Sequence, residues 1–235
     1  MINIKRLFLL CVTFAVFLPS AIVNAQKINQ FDANKKRTGV WKKYYKNKRI
    51  RYTGQFKDGK EIGTFTFYDM GSSQFPSAIK DFHSNSDSVT VRYFFLNGKL
   101  KTKGLFLKRE RVGKWLYYFS KGGIMSEEFY NNGKLSGSLK IYYPNGKLTE
   151  HTHYKDGLLH GLSKKYSDSG VLIEVLMYEK GKEHGEAKYF ELNGNLKERG
   201  IYKHGKRFGK WEFYMDGEVV DPKKKKELLK LKKKG

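Results

Sequence analysis

Histidines and acidic residues are the side chains of this sequence whose spacing could support metal binding or catalysis. His151 and His153 would share one face of a β-strand, as paired metal ligands do, but no third ligand lies near them. Glu127 and Glu128 are neighbours, and neighbours on a strand point to opposite faces, so they do not form a catalytic carboxylate pair. No catalytic residue and no metal ligand set is therefore predicted.

The sequence also does not indicate a metal site shared between repeats, a serine nucleophile or a phosphate-binding loop. His160 and His184 hold matching places in successive repeats and would lie about 10 Å apart, which is too far for one metal ion. The serines lie in no nucleophile elbow, and no glycine-rich turn has the pattern of a phosphate loop that opens a helix. The repeated glycines are explained as turn residues, and the sequence predicts a protein that is not an enzyme and uses no cofactor.

Aromatic and basic residues instead predict a binding surface. Exposed aromatic platforms bind sugars and flat apolar groups, and interleaved lysines favour an anionic ligand. Single-stranded nucleic acid would suit the same mixture, although export would make that partner less accessible. The expected aromatic platforms are Trp41, Tyr44, Trp115, Tyr118, Trp211 and Tyr214. The lysines beside them are Lys42, Lys43, Lys114 and Lys210.

The strongest feature of the composition is its positive charge. The formal net charge is +24 over 235 residues, and the surplus is spread along the chain as well as concentrated at its end. Such a surface attracts acidic polysaccharide, lipopolysaccharide, anionic lipid, nucleic acid or an acidic protein, and a merely solubilising surface is the alternative. The C-terminal tail can contact an anionic surface as a mobile segment or as a short amphipathic helix. Its lysines are Lys223, Lys224, Lys225, Lys226, Lys230, Lys232, Lys233 and Lys234.

The first 25 residues have the pattern of a secretory signal peptide. Lys5 and Arg6 precede the apolar run 7–18, and small residues around Ala25 predict cleavage before Gln26. A membrane anchor is the rival reading, but the run is short for a span of about 20 residues and Pro19 ends it. Cys11 is the only cysteine, so the mature chain would have neither a disulfide nor a thiolate metal site. Export to the periplasm, cell envelope or medium is expected.

The elements that position these residues come from a repeat of 24 residues. Counting each start residue as position 0, an aromatic residue stands at position 5 of all eight units and a second at position 17 of the seven complete ones. A third, weaker column at position 2 reads Trp41, Phe65, Val91, Trp115, Leu139, Ser163, Ala187 and Trp211. One interval is two residues longer, through an insertion around 71–76. The start residues are Gly39, Gly63, Val89, Gly113, Gly137, Gly161, Gly185 and Gly209.

Two turn signals divide each unit into two strands. Asn97-Gly98 and Asn145-Gly146 stand between the two aromatic columns, and Asp58-Gly59 and Asp156-Gly157 stand at unit ends. The segments between them are aromatic, β-prone and short. The sequence therefore predicts an all-β fold, an elongated and twisted antiparallel sheet of about eight tandem hairpins.

Positions 2 and 5 fall on opposite faces of a regular strand. Either both faces carry aromatic residues, or a β-bulge restores their alignment. The preferred interpretation is a sheet with one apolar groove and one basic face.

The spacing of tyrosine and glycine from Tyr154 to Gly170, with His160-Gly161 and His184-Gly185, resembles the MORN repeat. The Gly-x-Trp-x-x-Tyr form at Gly39, Gly113 and Gly209 resembles its bacterial variant more closely. The resemblance implies a ribbon of hairpins that acts as a scaffold or a binding surface for protein, lipid or a second copy. Bacterial variants are often labelled antitoxin components of toxin-antitoxin pairs, a role that export of this chain argues against.

These observations divide the chain into a signal peptide at 1–25, a lead-in at 26–38, the repeat array at 39–220 and a lysine-rich tail at 221–235. The leading hypothesis is an exported interaction scaffold with a protein partner. The first alternative is a cell-envelope binder of anionic lipid or polysaccharide, and the second is an antitoxin-like component.

Overall fold

The computed structural model describes residues 27–84, 86–221 and 223. These residues form 19 β-strands in one open antiparallel sheet. Strands that follow one another along the chain are paired, except that two short strands, at 134–135 and 158–159, pair with the preceding strand only. The first strands are β1 Gln30–Phe31, β2 Arg37–Tyr44, β3 Ile50–Lys57, β4 Lys60–Tyr68, β5 Pro76–Phe82, β6 Ser88–Phe94, β7 Leu100–Leu107, β8 Glu110–Tyr118 and β9 Ile124–Asn131. The others are β10 Lys134–Leu135, β11 Gly137–Tyr142, β12 Leu148–Lys155, β13 Leu158–Leu159, β14 Gly161–Tyr166, β15 Leu172–Glu179, β16 Lys182–Phe190, β17 Leu196–Lys203, β18 Lys206–Met215 and β19 Glu218–Val220.

The turns at the unit ends are two-residue hairpin turns with positive φ at both positions. Asp58 and Gly59 have φ of 51° and 79°, as a type I′ turn requires, and Lys57 pairs with Lys60 across them. The same backbone recurs at Asn132-Gly133, Asp156-Gly157, Lys180-Gly181 and His204-Gly205. The prediction of a hairpin array is confirmed. The predicted signal peptide and almost all of the lysine-rich tail lie outside the described residues.

The turns inside the units stack on one another along one side of the sheet. In its own turn, the Asn145 Oδ1 accepts from the Lys147 backbone N–H at 3.0 Å. Its Nδ2 donates to the Asp168 carbonyl of the next turn at 3.1 Å, and the Lys147 Nζ donates to the Ser169 carbonyl at 2.8 Å. Asn47 and Asn97 repeat this contact with the following turn, so three of the hairpins are tied to the next one in this way.

The start glycines do not lie in turns, contrary to the expectation from sequence. Gly63 and Gly113 each have φ of 64° and lie inside strands β4 and β8, where the pairing with the preceding strand shifts register. Val89 replaces this glycine in one unit, and there β5 pairs with β6 without any shift. The positive φ of glycine therefore forms a bulge in the strand, and a β-branched residue at the same place leaves the pairing regular.

The predicted insertion lies in the turn between β4 and β5. The loop between Tyr68 and Pro76 is two residues longer than the loop between Tyr44 and Ile50 in the first unit. Its extra length leaves the hairpin pairing intact, because Tyr68 still pairs with Pro76 as Tyr44 pairs with Ile50. The insertion therefore changes a turn and leaves the sheet continuous.

Candidate functional site

The sheet has two faces with different side chains, which we call the core face and the outer face. The core face carries the side chains at positions 2, 4, 13, 15 and 17 of each unit, and the outer face carries those at positions 1, 3, 5, 14 and 16. Phe56 and Phe65 pack together on the core face with ring centroids 5.2 Å apart. On the outer face, the Tyr142 hydroxyl donates to the Glu127 Oε1 at 2.8 Å. Positions 2 and 5 therefore lie on opposite faces, and both faces carry aromatic residues.

The column at position 2, the weakest in the sequence, is the buried core of the sheet. Val91 and Ala187 are fully buried, and Trp41 is the one member that is only half-buried. In three units a large ring lies over a glycine of the preceding strand. A Cβ added to Gly104 would stand 2.2 Å from the Trp115 ring, and one added to Gly200 would stand 2.3 Å from the Trp211 ring. Gly54 and Phe65 form a third such pair.

This burial corrects the interpretation of the tryptophans as exposed platforms. Trp115 is 1% exposed and Trp211 is 9% exposed. The Trp115 indole N–H donates to the Leu105 carbonyl at 3.2 Å, and the Phe106 ring packs edge-on at 5.0 Å between centroids. A ring that is held flat on a neighbouring strand and covered by side chains is unavailable to a ligand, so these tryptophans are structural.

An arginine covers each tryptophan, and sequence reasoning missed it. Arg111 lies 4.7 Å from the Trp115 ring centroid, as a cation over the aromatic face does. Arg37 over Trp41 and Arg207 over Trp211 repeat the contact at 5.0 and 4.0 Å. The signal was present in the sequence as Arg-x-Gly-x-Trp in all three tryptophan units.

Arg111 is also the centre of a polar cluster on the core face. It donates to the hydroxyls of Tyr117 and Tyr130 at 2.9 and 3.0 Å, and the Tyr130 hydroxyl donates to the Glu128 Oε2 at 2.7 Å. Burial raises the pKa of Tyr117 and of Tyr130, and Glu128 raises both further. The two hydroxyls therefore remain protonated and act as hydrogen-bond donors and acceptors.

The residues predicted to form one binding surface are divided between the faces. Trp41, Trp115, Trp211 and Lys43 stand at core-face positions, whereas Tyr44, Tyr118, Tyr214, Lys42, Lys114 and Lys210 stand at outer-face positions. Tyr44 is 49% exposed, and Tyr118 and Tyr214 are half-buried. Only the tyrosines and the lysines at outer-face positions can serve one common surface.

Five segments of the chain match the family profile described as the MORN repeat variant. They are residues 37–58, 111–132, 135–156, 159–180 and 183–204. The chain belongs to the MORN repeat variant family. A search of curated proteins gave no significant match.

The MORN matches start two residues before a start glycine, which is the position of Arg37 and Arg111. The unmatched stretch from 59 to 110 contains the long turn before Pro76 and the unit that begins with Val89. Hairpin pairing continues through this stretch without a break. The MORN sheet is therefore longer than the segments that the family profile matches.

The outer face of the MORN array carries charged residues in regular rows. The Lys114 Nζ lies 2.5 Å from the Glu127 Oε2, and this contact, mainly its hydrogen bond, lowers the pKa of Glu127. Burial, together with the hydrogen bond to Glu127, raises the pKa of Tyr142 to about 12. Glu128 belongs to the core face, so the two neighbouring carboxylates point to opposite faces, as predicted.

His151 and His153 share the outer face, with ring centroids 4.9 Å apart. The His151 Nε2 lies 2.8 Å from the Ser138 hydroxyl, and the His153 Nδ1 lies 3.0 Å from the Leu162 carbonyl. Across the described ranges, no group of three or more His, Cys, Asp or Glu residues is arranged to hold a metal ion. Nothing in this part of the chain forms an apolar helix of membrane-spanning length.

Proposed function

We propose that this MORN repeat chain is an exported, non-catalytic scaffold that offers its long sheet to a protein partner. The observation that carries the proposal is the difference in exposure between the two faces of the sheet. The core face is filled by its own rings, whereas the outer face repeats half-exposed tyrosines and lysines every two strands. A surface of this kind provides area and repetition without a catalytic centre.

The test is affinity capture of a partner from envelope extract at low and at high salt. A carboxyl-terminal tag on the full-length chain leaves the predicted cleavage at Ala25 undisturbed. We expect a protein that stays bound at high salt, because contacts made by packed side chains are screened less than contacts between exposed charges. Capture that disappears completely at high salt would contradict a protein scaffold of this kind.

Export is part of the proposal and is tested separately. Its support is the basic start, the apolar run 7–18 and the small residues that end at Ala25. Fractionation and amino-terminal sequencing should find a chain that begins at Gln26 outside the cytoplasm. An uncleaved cytoplasmic chain would favour the antitoxin-like role instead.

A second candidate function is the binding of anionic lipid or polysaccharide in the cell envelope. The outer-face lysines favour it, because they stand in regular rows and the chain carries a formal net charge of +24. Loss of binding with rising ionic strength would distinguish it from a protein scaffold.

A further inference from the structure

On the outer face, one side chain from each of six strands stands in a single straight row, which we call the basic row. Each member pairs directly with the next across the sheet: Lys140 with His151, His151 with Lys164, Lys164 with Val175, Val175 with Lys188, and Lys188 with Arg199. With strands about 4.8 Å apart, the row extends about 24 Å. It runs across the strands, and therefore along the long axis of the sheet.

The acidic residues at the two ends of the basic row are already engaged. Glu127 stands opposite Lys140 and is held by Lys114 and Tyr142. At the other end, Glu212 accepts from the Arg199 Nε at 2.7 Å. Within the described residues, Lys140 and Lys164 have no acidic side chain at ion-pair distance. Lys188 is also paired, because its Nζ lies 2.9 Å from the Glu186 Oε1. The positive charge that the chain does not neutralise therefore lies at Lys140 and Lys164.

The two unneutralised lysines lie close to each other. Lys140 and Lys164 stand on the strands either side of His151, about 10 Å apart, and their like charges repel one another across it. An anion laid along the row would relieve the repulsion. Two lysines that are aligned along the sheet and left unneutralised thus have the charge pattern of a site for a polymeric anion.

Apolar groups border the basic row on both sides. Tyr142 and Tyr166 stand two residues further along the strands than Lys140 and Lys164. On the other side lies a parallel row that contains Phe129, Met177 and Ile201, which are 39%, 38% and 51% exposed. The same row contains Glu186, which is paired with Lys188. A ligand that lies along the basic row would contact lysines beneath it and aromatic or aliphatic side chains on either side.

We propose that the outer face binds a linear acidic polysaccharide along the basic row. Its carboxylates would lie against Lys140 and Lys164, and the C–H faces of its sugar rings would pack on the bordering residues. Single-stranded nucleic acid fits less well, because it binds through successive aromatic stacking platforms and Met177 and Ile201 are aliphatic. A lipid surface would contact the whole face and needs no single line of charge. The proposal rests on the proposed role of the outer face as a binding surface.

The experiment measures binding of the full chain to polygalacturonate by titration calorimetry. Lys140→Gln with Lys164→Gln removes two charges from the row. Lys134→Gln with Lys155→Gln removes two charges from exposed strand ends near the hairpin turns and serves as the matched control. We expect the row variant to bind about tenfold more weakly at low salt and the control variant to stay within about twofold of the wild type. Equal losses in both variants would overturn the proposal, because net charge alone would then explain binding.

Two further arms identify the ligand class. Tighter binding to a thymidine oligonucleotide, or to phosphatidylglycerol vesicles, than to polygalacturonate would also overturn the proposal. Should the row variant fail to fold, lysine acetylation of the wild type provides the readout. Polygalacturonate should protect Lys140 and Lys164 from acetylation and leave Lys134 and Lys155 reactive. The protein partner captured at high salt should remain on the row variant, so the scaffold and the polysaccharide site fail or succeed separately.

Discussion

Two regions of the same sheet fill the core in different ways. Trp115 lies on the strand next to that of Gly104, and its large ring occupies the space over a residue without a side chain. In the middle of the array, Ser163 lies beside Thr152 and Ala187 packs with Leu176. Two smaller side chains there fill the part of the core that the ring fills elsewhere. The backbone pairing is alike in both regions. The comparison teaches that a ring over a glycine can be exchanged for two smaller side chains on neighbouring strands, so the two positions vary together.

The largest expected effect is the loss of a ring. Trp115→Ala should lower the free energy of unfolding by about 3–5 kcal/mol, because it removes a buried ring and leaves a cavity over Gly104. Ser163→Ala, at the same position of the middle region, should change it by less than about 1 kcal/mol. Urea denaturation of both variants checks the contrast. Equal losses would mean that the two regions do not differ in this respect.

Filling the space under a ring is the next largest effect. Gly104→Val should destabilise the chain by about 2–3 kcal/mol, because its side chain would overlap the Trp115 ring. Combining Gly104→Val with Trp115→Ser creates a pair like that of the middle region. The double variant should be more stable than Gly104→Val alone.

Gly71→Ala is the matched control, since its Cβ would meet only the side-chain end of Asp69 at 3.2 Å. A double-mutant cycle by thermal denaturation measures the coupling between the two positions. If the changes in unfolding free energy of the two single variants simply add, the two positions do not share one space in the core, and this explanation is wrong.

Much of this comparison could be predicted from the sequence, and part of it could not. The 24-residue period, the turn glycines and the insertion before Pro76 carry enough local information to predict a hairpin array. Which aromatic column of the repeat is buried depends on the face of the sheet that it occupies. That face is set by the pairing register between strands, which the sequence alone does not show. The burial of Trp115 was therefore missed, although Arg111 stands four residues before it in the sequence. The basic row could not be read for the same reason, because Lys140, His151 and Lys164 become neighbours only through pairing.

A turn provides a smaller effect in the opposite direction. Arg109 has φ of 72°, at a turn position where Gly59, Gly133 and Gly157 stand in other units. Arg109→Gly should raise the free energy of unfolding by about 0.5–1 kcal/mol, because a left-handed backbone strains a residue with a Cβ. The reverse change, Gly133→Arg, should lower stability by a similar amount. Denaturant midpoints of the two variants should therefore move in opposite directions.

The smallest effect is a pH dependence confined to the middle region. Burial lowers the pKa of His151, as do the charges of His153 on its own strand, Lys140 on β11 and Lys164 on β14. The Ser138 hydroxyl, also on β11, faces the same ring. The unfolded chain binds this proton more readily, so stability is lost as the pH falls through the ordinary histidine value towards the lowered one.

Unfolding free energies at about pH 8 and about pH 5 for the wild type and for His151→Asn isolate this contribution. The wild type should lose more stability on acidification than the variant does. An identical pH dependence in the two proteins would show that His151 titrates as an ordinary histidine.

The strict neighbour-to-neighbour order of the strands also has a mechanical consequence. Strand β1 pairs only with β2 and strand β19 pairs only with β18, so these two strands end the described sheet, and tension applied through the described chain loads the backbone hydrogen bonds across the strands. We expect such a sheet to peel one hairpin at a time, each unit releasing at most about 80 Å of slack. A chain held between two attachments would then lengthen in steps under load while its remaining hairpins stay folded.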